Sequence, residues 1–310
     1  MSCFNENEKD VKKAIDSILN QTFSDYEFII ILDNPQNIKL KKILTDYEKK
    51  DKRIKLIFNT ENIGLAMSLN KGIENSNYEI IARMDADDIS LPFRFEKEIE
   101  FLEKHKDIDL VSSTVIVIDE DDNEVRTRFP YFKNAKNINK ALEKNNFISH
   151  PCAMFRKKAF MNVGKYRNFP TAQDYDLWLR FIDNNSNAYI FREPLLKYRE
   201  RNESISNSKA YLQFLCQSYI KKLHLERKKN GHDSFSETNL QLFFEENNYN
   251  NSYVVNCYNE ARNEINSVNY NLRNLRFLSC LKHYVRAKRK DKRVIDLFWN
   301  NLYTKLLSHL

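Results

Sequence analysis

Three carboxylates stand within four residues at Asp85-Ala86-Asp87-Asp88, directly after the segment Tyr78–Met84. Acids that close repel one another unless a cation sits among them. A divalent ion held by one or two of them and by substrate phosphates answers that repulsion. An acidic turn leading into the next helix is the competing reading. A second acidic motif, Gln173-Asp174-Tyr175-Asp176-Leu177-Trp178, opens a helical pattern. Asp174 there suits the positive end of a helix dipole or a general base at a pocket rim. His150-Pro151 reads first as a loop. Tyr198-Arg199-Glu200-Arg201, continuing through Asn202-Glu203-Ser204-Ile205-Ser206, sets two arginines beside hydroxyls. That composition fits phosphate recognition and a surface ion-pair network equally.

These groups act only if regular elements hold them. Tyr26–Leu32 is an apolar run that reads as a buried strand, Ile54–Phe58 reads as a short strand and Tyr78–Met84 as the next one. Val11, Ala14, Ile15, Ile18 and Leu19 mark one face of a helix before the first run. Leu40, Ile43, Leu44 and Tyr47 mark a second helix, and Gly64–Asn75 a third. Strand and helix alternating at this spacing give an α/β fold with a parallel, doubly wound sheet. Ligands of such sheets bind at the carboxyl ends of the strands. There the sequence places Asp33 after one strand and the Asp85–Asp88 turn after another. Further along, Ser90 is expected to cap a helix from about Leu91. Leu110–Asp119 and Val125–Phe129 read as a hairpin, residues 134–145 as a helix and Cys152–Phe155 as a strand. Gln173–Asn184 reads as a helix, and Ala188–Phe191 and Leu195–Tyr198 as two short strands. From residue 207 the pattern is helical, aromatic and basic.

Composition narrows the chemistry. The 310 residues are 42% hydrophobic and 13% aromatic, enough to build a core. Gly64, Gly72, Gly164 and Gly231 are the four glycines, too scattered for a glycine-rich phosphate loop. Five cysteines, none closer than 23 residues to the next, form no zinc or disulfide pattern and suggest a reducing, cytoplasmic setting. No signal peptide or membrane-spanning run is evident. Residues 1–220 hold 34 basic and 34 acidic side chains, whereas residues 221–310 hold 16 and 9. The excess charge of +7 therefore lies in the last 90 residues. The amino-terminal part carries no nucleic-acid signature, and the carboxyl-terminal part could meet anionic lipid or phosphate.

Taken in order, the pieces MSCFNENE, AIDSILNQTFSDYEFIIILDN, NIGLAMSLNKGI, IARMDADDISLPFRFEKEIEFL, SHPCAMFRKKAF and QDYDLWLR resemble glycosyltransferase family 2 over residues 1–206. The resemblance implies a GT-A fold: a nucleotide-binding half (1–110), an acceptor-binding half (111–206) and a helical appendage (207–310). It implies inverting, metal-dependent transfer from a UDP-sugar, with Mn or Mg as cofactor. Such a chain would extend a lipid-linked bacterial surface glycan at the inner face of the plasma membrane. Carried over by position, Ser2, Cys3, Phe4, Asn5, Glu6, Asp33, Asn62, Arg83, Asp85 and Arg201 fall to the nucleotide. Asp87 and Asp85 fall to the metal, Asp174 becomes the catalytic base, and His150 and Trp178 shape the acceptor site.

The sequence departs from the family in places. One acid of the usual pair is missing at Leu32-Asp33, Gln173 replaces the usual Glu, and Arg201 stands where a His is common. Met1 falls inside a strand that in the family starts several apolar residues earlier. A catalytically silent nucleotide-sugar-binding subunit is the alternative reading. A nucleotidyltransferase is disfavoured by the absence of its glycine-rich, basic loop. Residues 207–310 are expected to meet a membrane surface or a second copy of the chain.

Overall fold

A computed structural model describes residues 1–128, 132, 134–201 and 209–309. Two compact units emerge: Met1–Asn139 with Phe147–Phe169 and Gln173–Asn202, and Lys140–Asn146 with Pro170–Ala172 and Glu203–Leu310.

The first unit opens with three parallel strands, β1 (Ser2–Cys3), β2 (Phe28–Leu32) and β3 (Ile54–Phe58), in spatial order β1-β2-β3. Ser2 pairs with Ile31, and Phe28 pairs with Ile54. Helix α1 (Glu8–Leu19) starts where Asn7 accepts the Lys9 amide, and it buries Val11, Ala14, Ile15 and Ile18. Burial of Val11, Ile15 and Ile18 contributes about 1.5–3 kcal/mol each. Helix α2 (Ile38–Lys50) is capped by Asn37. Helix α3 (Leu65–Glu74) is preceded by Gly64, whose φ of 82° is cheap only for glycine. Gly72 lets α3 approach β2 closely, since a Cβ there would lie 2.7 Å from Ile31 Cδ1.

The second sheet has six strands: β4 (Ile80–Ala82), β5 (Ile89–Ser90), β6 (Ile108–Ile118), β7 (Glu124–Arg128), β8 (Met154–Arg156) and β9 (Asn187–Arg199). Their order is β4-β8-β6-β9-β5, with β7 on β6. β6 and β9 run parallel, and the other pairs are antiparallel. An isolated parallel bridge from Ser2 to Asp85 joins the two sheets at the acidic turn. Helices α4 (Arg94–Lys104), α5 (Ala135–Leu142), α6 (Lys157–Asn162) and α7 (Gln173–Asp183) complete the mixed α/β layer. Arg94 and Glu98 form a fully buried ion pair, and Arg94 Nη2 donates to the Arg83 carbonyl at 2.9 Å.

Two local expectations need correction. Ser90 does not cap a helix: it lies in β5, its hydroxyl accepts from Gln21, and α4 begins only at Arg94. The two short strands over 188–198 are one strand, β9, whose register shifts beside Pro194. Proline removes a ladder donor, and the shift absorbs that loss.

The second unit is helical: α8 (Ala210–Asn230), α9 (Glu237–Glu246), α10 (Ser252–Arg273), α11 (Phe277–Lys290) and α12 (Arg293–His309). Leu215, Tyr219 and Leu223 of α8 and Tyr258, Ala261 and Val268 of α10 are buried in it. No helix among the described residues is long and apolar enough to cross a membrane.

Candidate functional site

The carboxyl end of β1 and the turn after β4 bring Glu6, Asp85 and Asp87 into one field. Burial raises the Glu6 carboxyl, and Asp85 raises it further. Burial and the neighbouring Asp85 push Asp87 up to about 6. Asp88 is 1% exposed, and burial followed by Asp85 and Asp87 holds its carboxyl well above the usual range. Its Oδ1 accepts the Arg199 amide at 2.8 Å, so Asp88 anchors the turn to β9. Asp85 and Asp87 are the two acids of the turn that face the site.

Three arginines answer this charge. Arg83 is buried, forms an ion pair with Asp85, and finds no hydrogen-bond partner for Nε and Nη1 among the described residues. Arg199 donates to the Asp87 carbonyl at 2.9 Å and to Asp122 at 2.5 Å. Arg201 Nη2 lies 3.0 Å from Asp10 Oδ2 and 3.3 Å from Asp87 Oδ2. Asn202–Ser206, the rest of that motif, lie outside the described residues.

Tyr166 connects the acidic turn to the second motif. Its hydroxyl is raised by burial, sits in the fields of Arg83, Asp174 and Asp85, and bonds His150 Nε2 at 2.8 Å. Asn70 of α3 fixes its backbone on both sides, donating to its carbonyl and accepting from its amide at 2.9 Å each. His150 is buried, and burial with the Arg83 charge holds its imidazole well below the ordinary value near 6.5. It is therefore neutral at neutral pH. Asp174 is half-buried in the first turn of α7. Asp176, the nearest other acid, is fully buried and bound by Arg180, with Nε 2.9 Å from Oδ2. That pairing removes Asp176 as a base.

The sequence profile of Glycosyl transferase family 2 matches residues 1–164. The chain belongs to this family. An uncharacterized glycosyltransferase of Methanocaldococcus jannaschii is 40% identical over 229 residues, 74% of this chain and 79% of that one. The O-antigen biosynthesis glycosyltransferase WbnJ of Escherichia coli is 36% identical over 224 residues, 71% of this chain and 86% of that one. The UDP-Gal:alpha-D-GlcNAc-diphosphoundecaprenol beta-1,3-galactosyltransferase of E. coli is 28% identical over 222 residues, 68% and 79% of the two chains. The S. aureus TarS 1–349 structure in complex with UDP-GlcNAc superposes with a TM-score of 0.59 at 12% identity, covering 94% of this chain and 90% of that one. The fold is thus GT-A-like with carboxyl-terminal helices, and the protein is a glycosyltransferase.

Within this family 2 enzyme the expected site residues take different stations. Ser2, Cys3, Phe4, Asn5 and Glu6 lie in or after β1; Cys3 is fully buried, whereas Phe4 and Asn5 are exposed. Asp33 is 3% exposed: Oδ1 accepts from Asn59 Nδ2 at 2.7 Å and the Ile63 amide at 3.0 Å, and Oδ2 from the Gly64 amide at 2.8 Å. It organises the loop carrying Asn62, whose Oδ1 accepts the same Gly64 amide at 3.0 Å. Trp178 offers no surface to an acceptor. It is fully buried and packs edge-on behind His150, with centroids 6.0 Å apart. Asp10 and Tyr166 escaped the sequence reading. Asp10 looked like an ordinary first-turn acid, and nothing local marks Tyr166.

Proposed function

We propose that this glycosyltransferase moves a sugar from a UDP-sugar to a hydroxyl of a lipid-linked glycan, with inversion at the anomeric carbon. The observation that carries the reading is the acidic turn after β4, where Arg83 pairs with Asp85 and Arg201 Nη2 lies 3.3 Å from Asp87 Oδ2. The names of the E. coli relatives and the UDP-GlcNAc complex of TarS support the donor and acceptor classes.

In this reading Ser2, Phe4, Asn5 and Asn62 contact the nucleotide, the fully buried Cys3 seats the end of β1 beneath them, and Glu6 and Asp33 hold the loops that carry them. Arg83 and Asp85 lie beside the ribose, Arg201 takes the diphosphate, and His150 backs the acceptor. Asp174 accepts the acceptor hydroxyl proton as its oxygen bonds the anomeric carbon. The bond to UDP breaks on the opposite face, and UDP leaves with the electron pair. One base suffices, with no covalent intermediate.

A divalent metal fits the residues present. Asp85 and Asp87 are hard oxygen donors on one short turn, the kind of ligand a divalent cation takes. Among the described residues no group of three ligating side chains is assembled, so donor phosphates would complete the shell. Bound Mn or Mg would neutralise charge on the departing diphosphate.

The test is a panel of UDP-sugars with purified protein, with and without EDTA, and product anomers assigned by NMR. Metal-dependent turnover with inverted configuration is expected. Retention of configuration, or full rate in EDTA, contradicts the mechanism. UDP binding without any turnover leaves the silent-subunit reading.

A further inference from the structure

We propose that the outer face of α11 and α12 docks on an anionic phospholipid surface. On α11, Cys280 and Ala287 point inward. The opposite face carries Leu278, Leu281 and Val285 together with Lys282, Arg286 and Arg289, all exposed. Leu278 is 87% exposed and Leu281 63%. On α12, Trp299, Leu302, Tyr303 and Leu306 recur at i, i+3, i+4 and i+7 and are exposed, opposite buried Val294 and Thr304. Trp299 Nε1 donates to the Tyr284 hydroxyl at 3.2 Å, so the aromatic end of the α12 stripe is tied to α11.

An exposed apolar surface of this extent needs an occupant. Charge selects which one. The helix α11 contains no acid, and among the described residues no ion pair engages Lys282, Arg286, Lys288 or Arg289. Lys290 is the exception, paired with Glu260 of α10. A two-fold contact between copies would bring these cations against their own images. A bilayer supplies both components at once: headgroup phosphates for the cations and acyl chains for the leucines and Trp299. A glycosyltransferase acting on a lipid-linked acceptor would gain local substrate concentration from such docking, yet the surface stands on its own residues and not on that reading.

The experiment is flotation of the full chain with phosphatidylcholine vesicles, with or without phosphatidylglycerol, at low salt. Binding is expected only to the anionic vesicles and should weaken as salt is raised. The triple variant Lys282→Glu, Arg286→Glu and Arg289→Glu should bind about 100-fold less tightly, with unchanged circular dichroism. The two tryptophans give a second readout. Trp178 is fully buried and Trp299 is 53% exposed, so a blue shift on vesicle addition reports Trp299. Equal binding to neutral vesicles, no binding at all, or a triple variant that binds as the parent does overturns the proposal. So does a dimer in sedimentation velocity that dissociates on Leu281→Ser while vesicles stay unbound.

Discussion

Two acids two residues apart illustrate how environment assigns roles. Asp174 and Asp176 share the first turn of α7, yet only Asp176 is sealed in the core against Arg180. Asp174→Asn should therefore lower the transfer rate by roughly 10²–10⁴-fold while UDP affinity in a calorimeter stays within about twofold. A near-normal rate would remove Asp174 as the base. Asp176→Asn should instead destabilise the fold, because it removes the carboxylate charge that faces the buried Arg180 guanidinium, at a cost of about 3–5 kcal/mol. His150 offers a different readout. Its folded pKa lies below the ordinary 6.5, so below pH 6.5 the unfolded chain binds more protons and stability falls as pH drops. His150→Gln can still hydrogen-bond Tyr166 but does not titrate, so the loss of melting temperature between pH 7 and 5 should shrink relative to the parent. Identical pH profiles for the two proteins would show that His150 does not set it.

Elements decide what a motif means. Asp33 follows β2 as a site acid should, but three donors from the 59–64 loop and the start of α3 already reach it. Asp33→Ala is expected to cost about 1–3 kcal/mol in denaturant unfolding, since it removes the acceptor of the Ile63 amide and one of two acceptors each for Asn59 and Gly64. UDP affinity should fall with it through disorder of the Asn62 loop. A variant of parental stability but weakened UDP binding would make Asp33 a nucleotide contact alone. The same scale explains what could be read from the sequence. β2 was legible because a strand buried in a parallel sheet appears as an unbroken apolar run, and β3 because its apolar residues are broken only by Lys55. The acidic turn and Asp174 were legible because strand ends and helix starts are marked locally. β9 was not, because Pro194 interrupts its pattern while the ladder continues around it. The Asp10–Arg201 pair spans 191 residues, and the Asn70–Tyr166 clamp spans 96. No local pattern announces contacts at such separations, and they hold both sides of the candidate site.

At the scale of the whole molecule, the helical unit is interleaved with the chain of the catalytic one. Lys140–Asn146 and Pro170–Ala172 belong to the compact unit of the carboxyl-terminal helices. Within that unit Glu143 takes an ion pair from Lys228 at 2.8 Å, and the Lys144 carbonyl accepts from Lys221 at 2.6 Å. Asn145 Nδ2 donates to Asn301 Oδ1 at 2.7 Å. A chain ending at residue 206 would strip these partners and expose Ala141 and Leu142, which are fully buried in the intact protein. It would also release residues 170–172, and Ala172 stands two residues before Asp174. Its melting temperature should fall by about 10 °C, the equivalent of roughly 3 kcal/mol for a domain of this size. Donor hydrolysis should fall more than UDP binding does, because the strands β1–β3, proposed to hold the nucleotide, lie wholly in the first unit whereas the start of α7 is reached through the second. Calorimetry and a UDP-sugar hydrolysis assay on the shortened protein check both statements. A fragment that melts and hydrolyses like the full chain would make residues 207–310 a detachable appendage.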